Sequence, residues 1–118
     1  MAKAGYVPEA GDLVWTGFDA RLGREQGLSH PALVVSPAPL FRASAFAIVC
    51  PIAEKGRRFG ANVALPPGLP VAGEVLTAHV RSLDTRARPF RYAGAAVPLA
   101  VLAEVRAKLA ALCGMGGA

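Results

Sequence analysis

Cysteine is scarce in this sequence, with only Cys50 and Cys113 among 118 residues. They are separated by most of the chain and lack the paired spacing of a zinc site, so no metal is expected. Each is read as a small buried apolar residue rather than a ligand or nucleophile. Long apolar runs are absent too. Although 53% of the residues are hydrophobic, no stretch approaches the roughly 20 residues of a membrane-spanning helix. The segment from Met1 to Asp12 has no apolar centre of the kind that marks a secretory signal. A soluble, cytoplasmic protein with no membrane association is therefore expected. There is no internal repeat or low-complexity tract, and the length suits a single domain over residues 1–118, with 113–118 as a frayed tail.

Acidic residues are few: eight Asp and Glu stand against thirteen Lys and Arg, for a net charge of +5 and a pI near 9.9. Ten of the thirteen basic residues are Arg. The planar guanidinium donates paired hydrogen bonds to phosphate. An anionic partner follows, with nucleic acid favoured over membrane because no strongly basic amphipathic helix is evident.

Turn chemistry at Val7–Asp12 leads into a first strand over Leu13–Phe18, rich in strand-favouring side chains. Residues 19–30 show no periodicity and contain two glycines, which predicts a long loop with a functional task. Pro31–Ser36, ended by Pro37 and Pro39, and Ala45–Pro51 are apolar runs that read as central strands. A charged connection at 54–60 precedes a short strand at Asn62–Leu65, and Pro66–Pro70 must turn because proline removes ladder donors. Gly73–Val80 again reads as strand, and Arg81–Arg91 as basic and either strand-like or irregular. Leu102, Val105, Leu109 and Leu112 then recur at helical spacing behind Pro98, with a Glu104–Lys108 pair and a stop at Gly114. Five or more short strands and one helix predict a mainly β barrel packed under its C-terminal helix.

Five segments carry a resemblance: Tyr6–Trp15 with its Gly11-Asp12-Leu13-Val14-Trp15 opening, the Gly23-Arg24-Glu25-Gln26-Gly27 loop, His30–Pro37, Cys50-Pro51-Ile52, and Gly73–Arg88. In order and spacing they resemble the MazF/PemK/Kid toxins of type II toxin–antitoxin systems. The resemblance implies an SH3-like barrel of the CcdB/MazF type and a symmetric homodimer. It also implies a cognate antitoxin that blocks the RNA groove, and sequence-selective cleavage of single-stranded RNA without a metal or other cofactor. Four positions depart from the family pattern. His30 stands where the family has an Arg acting at the scissile phosphate, Ala53 where it has a Thr, His79 where it usually has Gln, and Thr85 where it usually has Trp.

Cleavage through the 2′-OH needs a base for that hydroxyl, a proton donor for the departing 5′-oxygen, and positive charge near the developing phosphorane. Histidine shuttles protons near neutrality better than arginine does, so His30 moves the site towards acid–base catalysis, with Arg24, Arg86 or another Arg supplying charge. The hydroxyl lost at Ala53 would have to come from Ser29, Thr77, Ser82 or Thr85. The catalytic candidates are thus His30, Glu25 and the Ala53 position, with RNA contacts from Arg24, Gln26, Lys55, Arg57, Arg58, His79, Arg81, Arg86 and Arg88; Arg91 belongs to the same basic cluster. His30 and His79 form a two-histidine site in one reading, and in the other each merely bonds a loop. The Glu25–Gln26 pair orients substrate or is an ordinary solvated loop, and the basic cluster holds phosphates or is a solvated face. Trp15 and Phe18 read as core rather than as base-stacking groups. Three functions remain: an endoribonuclease toxin, a family member that binds RNA, antitoxin or another protein without efficient cutting, and a gyrase poison of the CcdB branch, which shares the fold but not these motifs.

Overall fold

The computed structural model describes residues 5–17, 30–54 and 60–115. Among these described residues seven strands build a single sheet: β1 (Asp12–Thr16), β2 (His30–Val34), β3 (Phe46–Ala53), β4 (Val63–Ala64), β5 (Glu74–Val75), β6 (Arg81–Asp84) and β7 (Arg91–Ala96). The described residues also form the α-helices α1 (Ala38–Ser44) and α2 (Leu99–Leu112). The spatial order is β4-β5-β3-β2-β1-β7, with β6 paired to β3 beside β5. The result is the expected mainly β fold, a curled half-barrel sheet with a C-terminal helix.

Both faces of the sheet are covered, which is why β2 and β3 read as continuous apolar runs instead of alternating ones. Leu13, Leu33, Cys50, Ile52 and Val75 share one core with Leu102 and Val105 of α2. Val14, Ala32, Val34, Ala47 and Val49 share the other with Leu83 and Phe90, and Tyr6 packs against it. Leu33 and Val34 are fully buried on opposite faces, each contributing roughly 1.5–3 kcal/mol by burial. The register of β2 thereby decides what projects from each face.

Several boundaries differ from the sequence reading. Pro37 and Pro39 do not simply stop β2; they open α1, where Pro37 is the N-cap and a proline in the first turn forfeits no needed donor. The helix ends on Ala45 in the left-handed region (φ 65°), and its carbonyl accepts both the backbone N–H (3.0 Å) and the hydroxyl (2.8 Å) of Thr85. β3 runs through Pro51 to Ala53 because the missing donor faces the edge where β6 gives way to β5. There the Pro51 carbonyl accepts from the Leu76 N–H at 2.8 Å. The strand predicted at Gly73–Val80 is only β5, followed by a 3-10 turn at Thr77–His79. β7 was missed altogether: its Ala-Gly-Ala-Ala stretch carries no strand signal, and its edge position is set by pairing with β1.

In α2, Leu102 and Val105 are buried and Leu109 packs beside them, but Leu112 stays 48% exposed and leaves the predicted stripe. The Glu104–Lys108 ion pair forms at 3.3 Å. Lys108 also donates to the carbonyls of Gly60 and Asn62 at 3.0 and 3.2 Å, and Arg106 donates twice to the Val35 carbonyl. Gly114 (φ 71°) receives the helix in a Schellman arrangement, with Gly114 N–H to Ala111 O and Met115 N–H to Ala110 O. Cys50 is buried as expected. Cys113, the C-cap of α2, is exposed, contrary to the sequence reading, because the last turn overhangs the core.

Candidate functional site

The N-terminal motif is architectural. Asp12 accepts the Tyr6 hydroxyl at 2.7 Å and the Glu9 N–H at 3.0 Å. The Glu9 carboxylate accepts the N–H groups of Ala10 and Ala38, both at 3.0 Å, so it ties this turn to the start of α1. These two bonds hold its pKa below the ordinary glutamate range, with Arg42 and Arg106 adding to the effect. Gly11 (φ 97°) bridges two elements, donating to Val34 O and accepting from Val97 N–H.

The candidate chemistry sits on the second face. β1 pairs with β2 so that Thr16 lies opposite His30, and β2 pairs with β3 so that Ala32 lies opposite Pro51. The β2–β3 pairing ends at Ala32 and Pro51, and His30 and Ala53 each lie two residues further along, on the same face by strand alternation. Directly opposed residues in an antiparallel pair project from the same face with Cβ atoms roughly 4.5–5.5 Å apart. Thr16 and His30 therefore form a cross-strand pair next to the apolar row Val14, Ala32 and Pro51, and Ala53 lies on the same face at the end of β3. His30 is exposed, Ala53 is half-buried and Thr16 is fully buried. Arg81 lies opposite Val49 of the second core, so it projects from this face as well.

The other candidates are distributed less simply. His79 ends the 3-10 turn, exposed, on the edge of β3 away from β2. His30 and His79 thus stand on different elements, with β3 between them. Arg86 is fixed by Asp84, which accepts from its Nε at 3.0 Å and its Nη2 at 3.1 Å. That pairing lowers the Asp84 pKa and raises that of Arg86. Arg88 is half-buried, and its Nε is buried without a hydrogen-bond partner among the described residues. Arg91 leaves the basic cluster. Its register partner is Trp15, which packs against the first core, so Arg91 belongs to the opposite face. Trp15 thus packs as expected; Arg24, Glu25, Gln26, Lys55, Arg57, Arg58 and Phe18 lie outside the described residues.

None of the described hydroxyls that were to replace the one absent from Ala53 is available for that task. Thr77 donates to Ala61 O at 2.7 Å and Thr85 to Ala45 O at 2.8 Å. Ser82 lies opposite Ile48, which packs against the first core, and so faces away; Ser29 is outside the described residues. Sequence reasoning missed Thr16, whose placement follows once Val14 is assigned to the second face and the period-2 rule is applied. Burial pushes the Cys50 thiol up to about 12, which removes it as a nucleophile. Among the described residues no three His, Cys, Asp or Glu side chains are grouped to hold a metal ion, and no helix is long and apolar enough to cross a membrane.

Residues 9–113 match the model of the family described as PemK-like, MazF-like toxin of type II toxin–antitoxin system. The endoribonuclease toxin MazF of Escherichia coli K12 is 32% identical over 109 residues, covering 92% of this chain and 96% of that protein. The crystal structure of MazF from Deinococcus radiodurans superposes with a TM-score of 0.82 at 45% identity, covering 93% of this chain and 99% of the other. The MazE–MazF complex from the same organism contains a similar chain, with a TM-score of 0.81, 42% identity and coverages of 94% and 99%.

Proposed function

The chain belongs to the PemK-like, MazF-like toxin family of type II toxin–antitoxin systems, and on that premise we propose that it is an endoribonuclease toxin that cuts single-stranded RNA at selected sequences without a metal ion. The observation that supports the site assignment is the β1–β2 register, which pairs His30 with the buried Thr16 on the face that also carries Ala53. In this reading the His30 imidazole exchanges protons with the 2′-OH or the departing 5′-oxygen. Arg81, on the same face, supplies charge to the phosphate. Glu25 assists as a second acid–base group. Arg24, Gln26, Lys55, Arg57, Arg58, His79, Arg86 and Arg88 bind the RNA strand; Arg86 is held rigid by Asp84 for that task.

The relatives' complexes support an antitoxin partner for this chain: the Deinococcus radiodurans structures include MazE–MazF assemblies. A cognate antitoxin covering the same basic face, a homodimeric toxin and a cytoplasmic location complete the proposal. The test uses mixed-sequence RNA with excess EDTA. Cleavage at a short recurrent sequence, leaving 2′,3′-cyclic phosphate and 5′-hydroxyl ends and blocked by 2′-deoxy substitution at the cut, is expected. Salt-sensitive RNA binding with no cleavage would refute the nuclease and leave a binding protein.

A further inference from the structure

Thr16 is fully buried, and its Oγ1 has no hydrogen-bond partner among the described residues. A buried hydroxyl left unpaired opposes folding, and valine of nearly the same shape would avoid that penalty. Native proteins satisfy the large majority of such groups, so an exception calls for a cause. This one sits directly opposite His30, on the face where the hydroxyl at position 53 is missing. Thr77, Thr85 and Ser82 are engaged elsewhere or face the other side, as described above.

We propose that Thr16 is a positioning residue for the cleavage reaction: its hydroxyl holds one ring nitrogen of His30 while the other nitrogen serves the RNA. Resting on the nuclease assignment, this names the group that orients its proposed proton shuttle. His30 makes an interaction of its own in the structure, and the Thr16 bond belongs to the substrate-bound state. An imidazole has two distinct nitrogens, and the bond made by one fixes the tautomer and aim of the other. Thr16 has no exposed surface, so it acts through His30 rather than on the RNA.

The test compares Thr16→Val, which removes the hydroxyl at constant shape, with Thr16→Ser, which keeps it. With a defined RNA substrate, Thr16→Val is expected to lower kcat on the order of a hundredfold, the scale of a misaimed catalytic group, while KM stays within twofold. Thr16→Ser should stay within about tenfold of the parent. The melting temperature of Thr16→Val should equal or exceed the parent's, which separates this role from a structural one. A second readout does not require turnover: the 15N shifts of the His30 ring, recorded with a 2′-deoxy substrate analogue bound, should change in Thr16→Val and return in Thr16→Ser. Unchanged kcat in Thr16→Val beside an active parent, unmoved His30 shifts, or a marked loss of stability would each overturn the role given to Thr16. An inactive parent would refute the nuclease assignment instead, with the ring shifts still deciding whether Thr16 holds His30.

Discussion

Replacing Gly73 with alanine should destabilise the fold through the strand end that carries Ala53. Gly73 has φ +131°, a region that L residues rarely adopt, and entering it costs roughly 1–3 kcal/mol. A Cβ there would also collide with the Ala53 carbonyl oxygen, come within 2.8 Å of its carbon and lie 3.0 Å from Glu54 Cα. These are backbone atoms, so the collision cannot be relieved by a rotamer change, and forced displacement in a packed region adds about 1–3 kcal/mol. The sum, roughly 2–6 kcal/mol, is a large share of a typical domain's stability of about 5–15 kcal/mol. At about 4 °C per kcal/mol, the melting temperature should fall by roughly 8–24 °C. Gly68 provides the internal control. Its φ is +93°, but a Cβ there meets nothing within 4 Å, so Gly68→Ala carries the backbone strain alone and should shift the midpoint by roughly 4–12 °C. Thermal melts followed by circular dichroism measure both, and RNA cleavage of Gly73→Ala below its midpoint reports whether Ala53 has moved. Equal destabilisation by the two substitutions would refute the close approach of Gly73 to β3.

A thiol titration of the folded protein should modify Cys113 rapidly and leave Cys50 protected until denaturant is added, since Cys50 is buried and Cys113 exposed; two fast thiols would contradict the packing. The Glu9 pKa is lowered in the fold, so its contribution to stability is present above the ordinary glutamate range and is lost as pH falls through the folded value. Urea midpoints against pH should therefore show Glu9→Gln less stable than the parent near neutrality, with the gap closing in acid; a gap independent of pH would reject the carboxylate tie to Ala38. Ala53→Thr should raise cleavage by up to a hundredfold to a thousandfold, the usual value of one well-aimed donor, as read by single-turnover kinetics.

Much of the architecture was legible because hydrophobic runs and turn residues carry it. The cores of β1, β2, β3 and α2 follow from Leu13, Leu33 and Cys50 lying in the apolar runs read as strands and Leu102 in the helical stripe. β7 was not legible, because Ala93, Gly94, Ala95 and Ala96 have no strand preference and are ordered by pairing with β1. Pro37 and Pro39 were ambiguous for a physical reason: the same missing donor that ends a strand opens a helix. In the candidate site, motif spacing singled out His30 and Ala53, while the face they share depends on a register that only the assembled sheet displays. Thr16 escaped notice because its meaning lies in its burial and its cross-strand neighbour, neither of which a linear reading contains. Arg91 was misassigned because charge was counted without the face it projects from.

The central claim, that the face carrying His30 is where RNA is cut, is tested most directly by single-turnover cleavage with His30→Ala in EDTA, alongside RNA affinity measured on a 2′-deoxy analogue. Cleavage should fall at least about a hundredfold, the lower range of general acid–base contributions, while affinity stays within severalfold of the parent. Cleavage equal to the parent's in His30→Ala would contradict the account and move the chemistry to another part of the molecule.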